Sequence, residues 1–301
     1  MGFQRPDLVE KDLRLQTLLR FISQSDPFKS RYLFKGGTCL IKAYMGYYRL
    51  SEDIDLTYVE EGLLNMTQTR LRKKLGIQID EIAQILNEFS IEWGYDFKPM
   101  KNDERYIQHG GSSKFVTFKL HYNGDVTGLP SFIKVQINFL EEMIFPKRIA
   151  DLRSLSTELT DTGIRVAFPE EFELYSAPIR MDIYDIEEIF CEKVRAVLTR
   201  RGIKARDFVD LYKINKRFGL TPKRSRKEII RKTLFMIERY EKYKENIEEK
   251  FDLLGDLEAY NWSYERGMFI ERLRDEDIFR YIRTILPELE DISQEVRKGL
   301  K

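Results

Sequence analysis

The amino-acid sequence predicts an α+β protein, with a mixed β-sheet core over about residues 1–175 and an all-helical bundle domain over about residues 176–301. Two observations predict this class. Several short segments in the first half alternate polar and apolar side chains, as half-buried strands do. After Pro178 that alternation gives way to helical periodicity, interrupted at Gly202, at residues 219–222, at Gly255 and Gly267, and at Pro287.

The amino-terminal elements follow from local patterns. Leucines at helical spacing predict a helix within the first thirty residues. A strand "RYLF" then stops at Gly36 and Gly37, and "TCLIKAYMG" begins a helix. The strand "DIDLTYV" follows, then a helix over about 71–88. "KFVTFKLHY" and "SFIKVQINFLE" form two strands joined by a turn at about 123–128, and "IRVAFPEEF" gives a last extended piece.

Composition excludes several protein classes. No apolar run is long enough to span a bilayer, and the amino terminus lacks the apolar core of a secretory signal, so we expect a cytoplasmic protein without membrane partners. Cys39 and Cys191 are the only cysteines, too few for a disulfide scaffold. With only two histidines, a zinc site of ordinary spacing is absent, so any metal would be oxygen-bound.

The formal charge of +1 hides a basic segment. Residues 193–232 hold fifteen Lys or Arg against three acids, a net charge of +12. Such a segment forms either solvated helix faces or a surface for a polyanion such as RNA, and the sequence leaves both open.

The stretch "FKGGTCLIKAYMGYYRLSEDIDL" combines a glycine pair with two aspartates. Glycines that open a helix leave main-chain N–H groups accessible to phosphate, although a glycine pair alone is often only a turn. Strand alternation puts Asp53 and Asp55 on one face, about 6–7 Å apart. They are either solvated acids or a carboxylate pair for Mg²⁺, which also takes phosphate oxygens.

The helix "YDIEEIFCEKVRAVLTR" carries Lys193 inside its apolar stripe, where an ammonium needs an anionic partner or must reach water by its aliphatic stem. Nearby, "RDFVDLY" puts Asp207 and Asp210 three positions apart on a predicted helix.

Three motifs in order, GGTCLIK, RLSEDIDL and the Glu-x-Lys of EEIFCEKVRAVLTRRGIKARDFVDLY, resemble the nucleotidyltransferase AbiEii toxin family. The MenT-type toxins belong to the same group. The resemblance implies a polymerase-β-like nucleotidyltransferase core followed by a helical bundle.

It also implies a role for each matching residue. NTP would be the substrate and Mg²⁺ the cofactor. Asp53 and Asp55 would hold the metal, and Lys193 would complete the catalytic set by binding the nucleotide phosphates. The remaining nucleotide-binding candidates are Gly36, Gly37 and Thr38 around the triphosphate, Lys42 and Ser51 as further phosphate contacts, and Asp207 and Asp210 as groups that orient the base, the ribose or Lys193.

The sequence departs from the superfamily at one place. A third carboxylate is usual on a later strand, and in "FIKVQINF" the corresponding residue is Gln136. An amide cannot accept a proton from an attacking hydroxyl. Glu141 or Glu142 would have to substitute, or the acceptor would have to be activated differently.

The resemblance therefore implies a Mg²⁺-dependent nucleotidyltransferase that transfers a nucleotide to an acceptor hydroxyl, foremost the tRNA 3′ end. It would be the toxin of a toxin–antitoxin or abortive-infection system, with a cognate antitoxin as partner. Two alternatives stay open: nucleotidylation of a protein, and a nucleotide- or RNA-binding protein that has lost catalysis.

Overall fold

A computed structural model describes residues 5–110, 114–158, 162–240, 243–247 and 265–300. Contacts divide the chain into two units, the first comprising Met1–Glu141 and Lys147–Tyr184, the second Glu142–Pro146 and Asp185–Lys301. The first unit extends beyond the predicted limit at residue 175 because the strand Ile179–Ile183 belongs to its sheet.

The described residues of the first unit contain a seven-stranded sheet in the order β3-β4-β5-β2-β1-β7-β6. In chain order the strands are β1 (Tyr32–Lys35), β2 (Asp53–Tyr58), β3 (Ile107–Gly110), β4 (Phe115–Asn123), β5 (Pro130–Asn138), β6 (Arg148–Leu152) and β7 (Ile179–Ile183).

The sheet is mixed, which confirms the predicted class. Strand β2 pairs antiparallel with β1 and parallel with β5, and β1 pairs parallel with β7. One face of the central strands is apolar and fully buried, as Ile54, Leu56 and Val135 illustrate. The residues between them point to the opposite face, and these include Asp53 and Asp55.

The helices of the first unit are α1 (Pro6–Gln24), α2 (Asp26–Arg31), α3 (Gly36–Cys39), α4 (Gln68–Trp93), α5 (Leu155–Glu158), α6 (Thr162–Ala167) and α7 (Pro169–Ser176). A π-helical segment, Leu40–Met45, continues α3 directly. Helix α1 packs against β2, β5 and β7. The predicted first helix is thus two helices, because Pro27 lies in the first turn of a new one.

The extended segment predicted for "IRVAFPEEF" is wrong. Those residues fall in α6 and α7, and Pro169 begins α7, a position where its missing N–H has no helical partner to lose. Three strands, β3, β6 and β7, were not predicted. They have four or five residues each, and all three lie at or next to a sheet edge, so local alternation is too short to show them.

The described elements of the second unit are helical, as predicted: α8 (Ile186–Thr199), α9 (Ala205–Phe218), α10 (Arg226–Ile237), α11 (Asp275–Gly299) and a 3₁₀ turn, Arg266–Met268. Gly219, at φ +67°, ends α9 where the sequence predicts a break. Pro287 does not break α11, which continues through it because Ile285 and Leu289 on either side are buried. Gly255 lies outside the described residues.

A buried ion pair holds the segment Glu142–Pro146 in this second unit. Lys232 and Glu188 are both fully buried and paired. Glu188 also accepts hydrogen bonds from the main-chain N–H groups of Ile144 and Phe145, at 3.0 and 2.8 Å. Within the described ranges, no helix is both long and apolar enough to cross a membrane.

Candidate functional site

The glycine pair follows β1 and begins α3, and both glycines are in close contact with neighbouring side chains. Gly36 has a φ of +77°, and a Cβ atom on it would stand 2.2 Å from Oδ2 of Asp55. A Cβ on Gly37 would stand 2.7 Å from the Arg49 guanidinium and 3.4 Å from the Ser51 hydroxyl. Glycine is therefore required here for close approach of the main chain as well as for backbone conformation.

Thr38 ties this turn to the start of β2. Its buried hydroxyl donates to the main-chain carbonyl of Asp53 and lies 2.9 Å from the Ser51 hydroxyl. The glycine turn, Ser51 and the two aspartates therefore form one cluster in the first unit, although they are separated in the sequence.

The strand register places the two aspartates beside identifiable neighbours. Asp55 lies between Lys35 on β1 and Gln136 on β5, and Asp53 is paired in register with Lys134. Partners in register project from the same face of a sheet, so all five side chains share one face.

Asp53 has a carboxylate oxygen suited to a cation. Its Oδ1 atom is buried and makes no hydrogen bond, and the Lys134 ammonium, at 3.7 Å, is too far for one. An unsatisfied carboxylate oxygen is costly unless a ligand completes it. Together with Asp55, it offers two hard oxygen ligands, which is the number that Mg²⁺ commonly takes from protein when phosphate supplies others.

The described metal-ligand candidates of this site are two carboxylates, Asp53 and Asp55. Among the described residues, no group of three or more His, Cys, Asp or Glu side chains could hold a metal ion. The pair therefore fits a cation that is shared with a substrate better than a closed structural metal site.

Gln136 is the register partner of Asp55, at the place where the family resemblance implies a third carboxylate. Its amide donates to the Thr117 hydroxyl at 3.3 Å. Of the two substitutes considered from sequence, Glu141 has a fully buried carboxylate that accepts from Asn138 and lies 3.6 Å from the Lys35 ammonium. Glu142 belongs to the second unit and pairs with Arg231.

Lys42 does not fit the phosphate-binding role expected from the sequence. It is fully buried, and its ammonium donates to Gln16 at 3.0 Å and to Tyr47, while Asp12 lies 3.1 Å away. Burial lowers the pKa of Lys42, and the Asp12 charge opposes that shift. The ammonium group is thus directed into the protein core and has three partners there.

Lys193, Asp207 and Asp210 form a second cluster, in the helical unit. The Lys193 ammonium lies 2.5 Å from Asp210 and 3.6 Å from Asp207, and Arg200 pairs with Asp207 as well. Burial alone would raise the pKa of Asp207, but the charges of Arg200 and Lys193 outweigh it and hold the pKa below its usual value. The anionic partners that the stripe position of Lys193 required are therefore these two aspartates.

Much of the basic segment 193–232 is neutralised inside the second unit. Lys213 pairs with Glu271, Arg226 with Glu295, and other residues of the segment pair in the same way. These others are Lys193, Arg200, Arg206, Arg231 and Lys232. The net charge of the segment therefore overstates the positive charge that the helical surface presents.

Sequence reasoning did not identify Lys35, Arg49 and Lys134 as site residues. Lys35 directly precedes the glycine pair, and Arg49 stands in the RLSEDIDL motif. Lys134 could not be found without the β2–β5 register, which no local pattern contains.

Comparison with known proteins identifies the family. A family model described as nucleotidyl transferase AbiEii toxin, type IV toxin–antitoxin system, matches residues 18–297. The solved structure of MenT4, a nucleotidyltransferase toxin from Mycobacterium tuberculosis, is similar in fold, with a TM-score of 0.59 and 16% identity, covering 97% of this chain and 87% of that one. JHP933 from Helicobacter pylori matches over 100% of both chains, with a TM-score of 0.43 and 14% identity. No curated protein sequence matches the chain.

Proposed function

The chain belongs to the AbiEii family of nucleotidyltransferase toxins of type IV toxin–antitoxin systems, and on that premise we propose that it joins a nucleotide from an NTP to an acceptor hydroxyl, foremost at the 3′ end of tRNA. The observation that carries the proposal is the contact of the Gly36 main chain with the Asp55 carboxylate. It brings the main chain of the glycine turn, which would contact phosphate, and the carboxylate pair that would hold the metal into one cluster.

The reaction breaks a phosphoanhydride bond and forms a phosphoester bond. The acceptor oxygen attacks the α-phosphorus of the NTP, the bond from that phosphorus to the β-phosphate oxygen breaks, and pyrophosphate leaves. The hydroxyl proton passes to solvent water, since the Gln136 amide has no basic atom for it. Mg²⁺ held by Asp53 and Asp55 would neutralise negative charge that develops on the phosphate oxygens.

The residues of the chain would bind and orient. Main-chain N–H groups at Gly36, Gly37 and Thr38 would contact the triphosphate, and Ser51 would donate to a phosphate oxygen. The hydrogen bond from the Thr38 hydroxyl to the Asp53 carbonyl would hold the glycine turn at a fixed position relative to the two aspartates.

Lys193 would bind the nucleotide phosphates, a role that rests on the family resemblance. Of the functions left open for Asp207 and Asp210, orientation of Lys193 has the support of their distances to its ammonium. A cognate antitoxin is the partner that membership of a toxin–antitoxin family supports.

A transfer assay tests the proposal. Each α-labelled NTP is incubated with the protein, Mg²⁺ and total tRNA, and separately with cell lysate. We expect label on tRNA from the wild type and none from Asp53→Ala. The matched control is Asp151→Ala, an exposed aspartate on an edge strand, which should keep activity. Transfer by a folded Asp53→Ala variant would refute the metal assignment, and label on protein alone would select the second acceptor class.

The position of Gln136 beside Asp55 favours one further candidate, a protein that binds NTP without turning it over. Tight binding of NTP with no pyrophosphate release, across all four nucleotides with total RNA, would establish it in place of transfer.

A further inference from the structure

A cluster of cations surrounds Phe132 on the polar face of the sheet. Phe132 is half-buried on β5, two positions before Lys134 and therefore on the face that carries Asp53. The ammonium groups of Lys134, Lys11 and Lys119 lie 5.5, 5.7 and 5.8 Å from the centroid of its ring. We name these four residues the Phe132 cluster.

The contacts of the described residues balance the charge of these three lysines only in part. Lys11 has a carboxylate partner, Glu52, at 3.2 Å. Lys119 donates to a neutral acceptor, the main-chain carbonyl of Glu104, at 3.4 Å. Distances of 5.5–5.8 Å are near the outer limit of about 6 Å for a cation–π contact, so the ring stabilises the ammonium groups only weakly.

Lys134 connects the cluster with the aspartates. Its ammonium lies 3.7 Å from Oδ1 of Asp53, and a cation bound to Asp53 would neutralise the carboxylate that offsets the charge of Lys134. The positive charge of the cluster is then greatest when the metal site is filled. An anion beside Phe132 is what would balance it.

A second aromatic ring extends this surface. His121 on β4 is the register partner of Phe132, and the two ring centroids are 5.4 Å apart. Both rings lie on the polar face, and both side chains are half-buried. An aromatic surface with lysines around it has the two features that bind single-stranded nucleic acid: a ring on which a base stacks, and cations for the phosphates.

The sheet order places the cluster opposite the glycine turn. The turn follows β1 on one side of β2, while Phe132 and His121 lie on β5 and β4 on its other side. In phosphoryl transfer the attacking and leaving oxygens are roughly in line through the phosphorus. If the turn holds the pyrophosphate that leaves, the attacking hydroxyl approaches from the side of β5.

We infer that the Phe132 cluster binds the single-stranded end of a nucleic-acid acceptor, with a base stacked on Phe132 and its phosphates on the three lysines. The inference rests on the proposed transfer reaction, which it deepens by naming the surface that binds the acceptor. A protein acceptor offers neither an unstacked base nor a phosphate for this surface.

Binding is measured without catalysis, by fluorescence anisotropy of a labelled single-stranded RNA with a free 3′ hydroxyl. We expect Phe132→Ala to bind roughly tenfold more weakly or worse, because a stacked base is lost. Phe132→Trp should keep the affinity and Phe132→Leu should not. The matched control is Phe168→Ala, which removes an exposed phenylalanine of the same unit and should change nothing.

Salt dependence tests the lysines. For single strands each phosphate contact contributes a slope of about 0.7 to the plot of log affinity against log salt. Lys119→Ala should lower the slope by about that amount. Lys147→Ala, which removes an exposed lysine on the same unit that is paired with Asp182, should leave it unchanged.

Two results would overturn the inference: equal RNA affinity of the folded Phe132→Ala and Phe168→Ala variants, or transfer of label to a protein that Phe132→Ala does not diminish. Binding of a fluorescent NTP separates this inference from the proposed reaction. If Phe132→Ala loses RNA binding but keeps NTP binding, the RNA-binding role of the cluster is supported. If no transfer is then detected with the wild type, only the proposed transfer reaction is refuted.

Discussion

Asp55 and Gln136 are register partners on the parallel strands β2 and β5, so an amide side chain stands next to a carboxylate that we propose as a metal ligand. A carboxylate at residue 136 would share the face of Asp53 and Asp55 and would carry a basic oxygen. The two aspartates instead have a neutral neighbour, whose amide donates to the Thr117 hydroxyl.

Replacing Gln136 with Glu should therefore raise the transfer rate. A positioned general base contributes about 10²–10⁴-fold where proton transfer limits the reaction. We therefore expect the single-turnover rate constant of transfer to rise at least tenfold. Gln136→Ala is the control and should keep the wild-type rate, because the amide takes no proton. If the alanine variant is inactive although folded, the amide itself contacts substrate.

The contact between Gly36 and Asp55 gives the second prediction. Gly36→Ala places a methyl group on the carboxylate and should abolish NTP binding. Gly62→Ala is the matched control, because Gly62 has nearly the same φ, +76°, and nothing within 4 Å of a Cβ. Both variants should lose about 1–2 kcal/mol of unfolding free energy from backbone strain. Equal NTP affinity of the two variants, measured with a fluorescent nucleotide, would contradict the assignment.

The sequence predicted the parts of this site that local chemistry determines. The glycine pair and the alternation of "DIDL" are local patterns that predict a turn and a shared strand face. The stripe position of Lys193 left open an anionic partner or contact with water, and the structure shows an anionic partner, Asp210. The strand β7 could not be predicted, since its pairing with β1 joins segments that are far apart in the chain. For the same reason the basic segment looked more exposed than it is, because its carboxylate partners, such as Glu295, lie on other helices.

The ion pairs of Asp207 predict how acid affects the second unit. Its pKa lies below the usual 3.8 in the folded protein, so the unfolded chain binds the proton first as pH falls. The stabilisation is therefore complete above about pH 4 and is lost as pH falls through the folded pKa. In urea unfolding followed by circular dichroism, wild type should exceed Asp207→Asn in stability at pH 6. That difference should shrink towards pH 3, whereas a difference that grows in acid would have the wrong sign. Asp151→Asn, on an exposed aspartate, controls for loss of charge alone.

Lys42 distinguishes a buried structural cation from a phosphate ligand. Replacing it with Met leaves the Asp12 carboxylate buried without its ammonium partner, which we expect to lower the unfolding free energy by about 3–5 kcal/mol. The double variant Lys42→Met/Asp12→Leu removes both charges and should regain part of that loss, because no unpaired charge remains. NTP affinity of the folded variants, measured well below their melting temperatures, should stay within about twofold of wild type, since the Lys42 ammonium is directed at Asp12, Gln16 and Tyr47. A tenfold loss of NTP affinity in a variant with native circular dichroism would instead give Lys42 a part in binding phosphate.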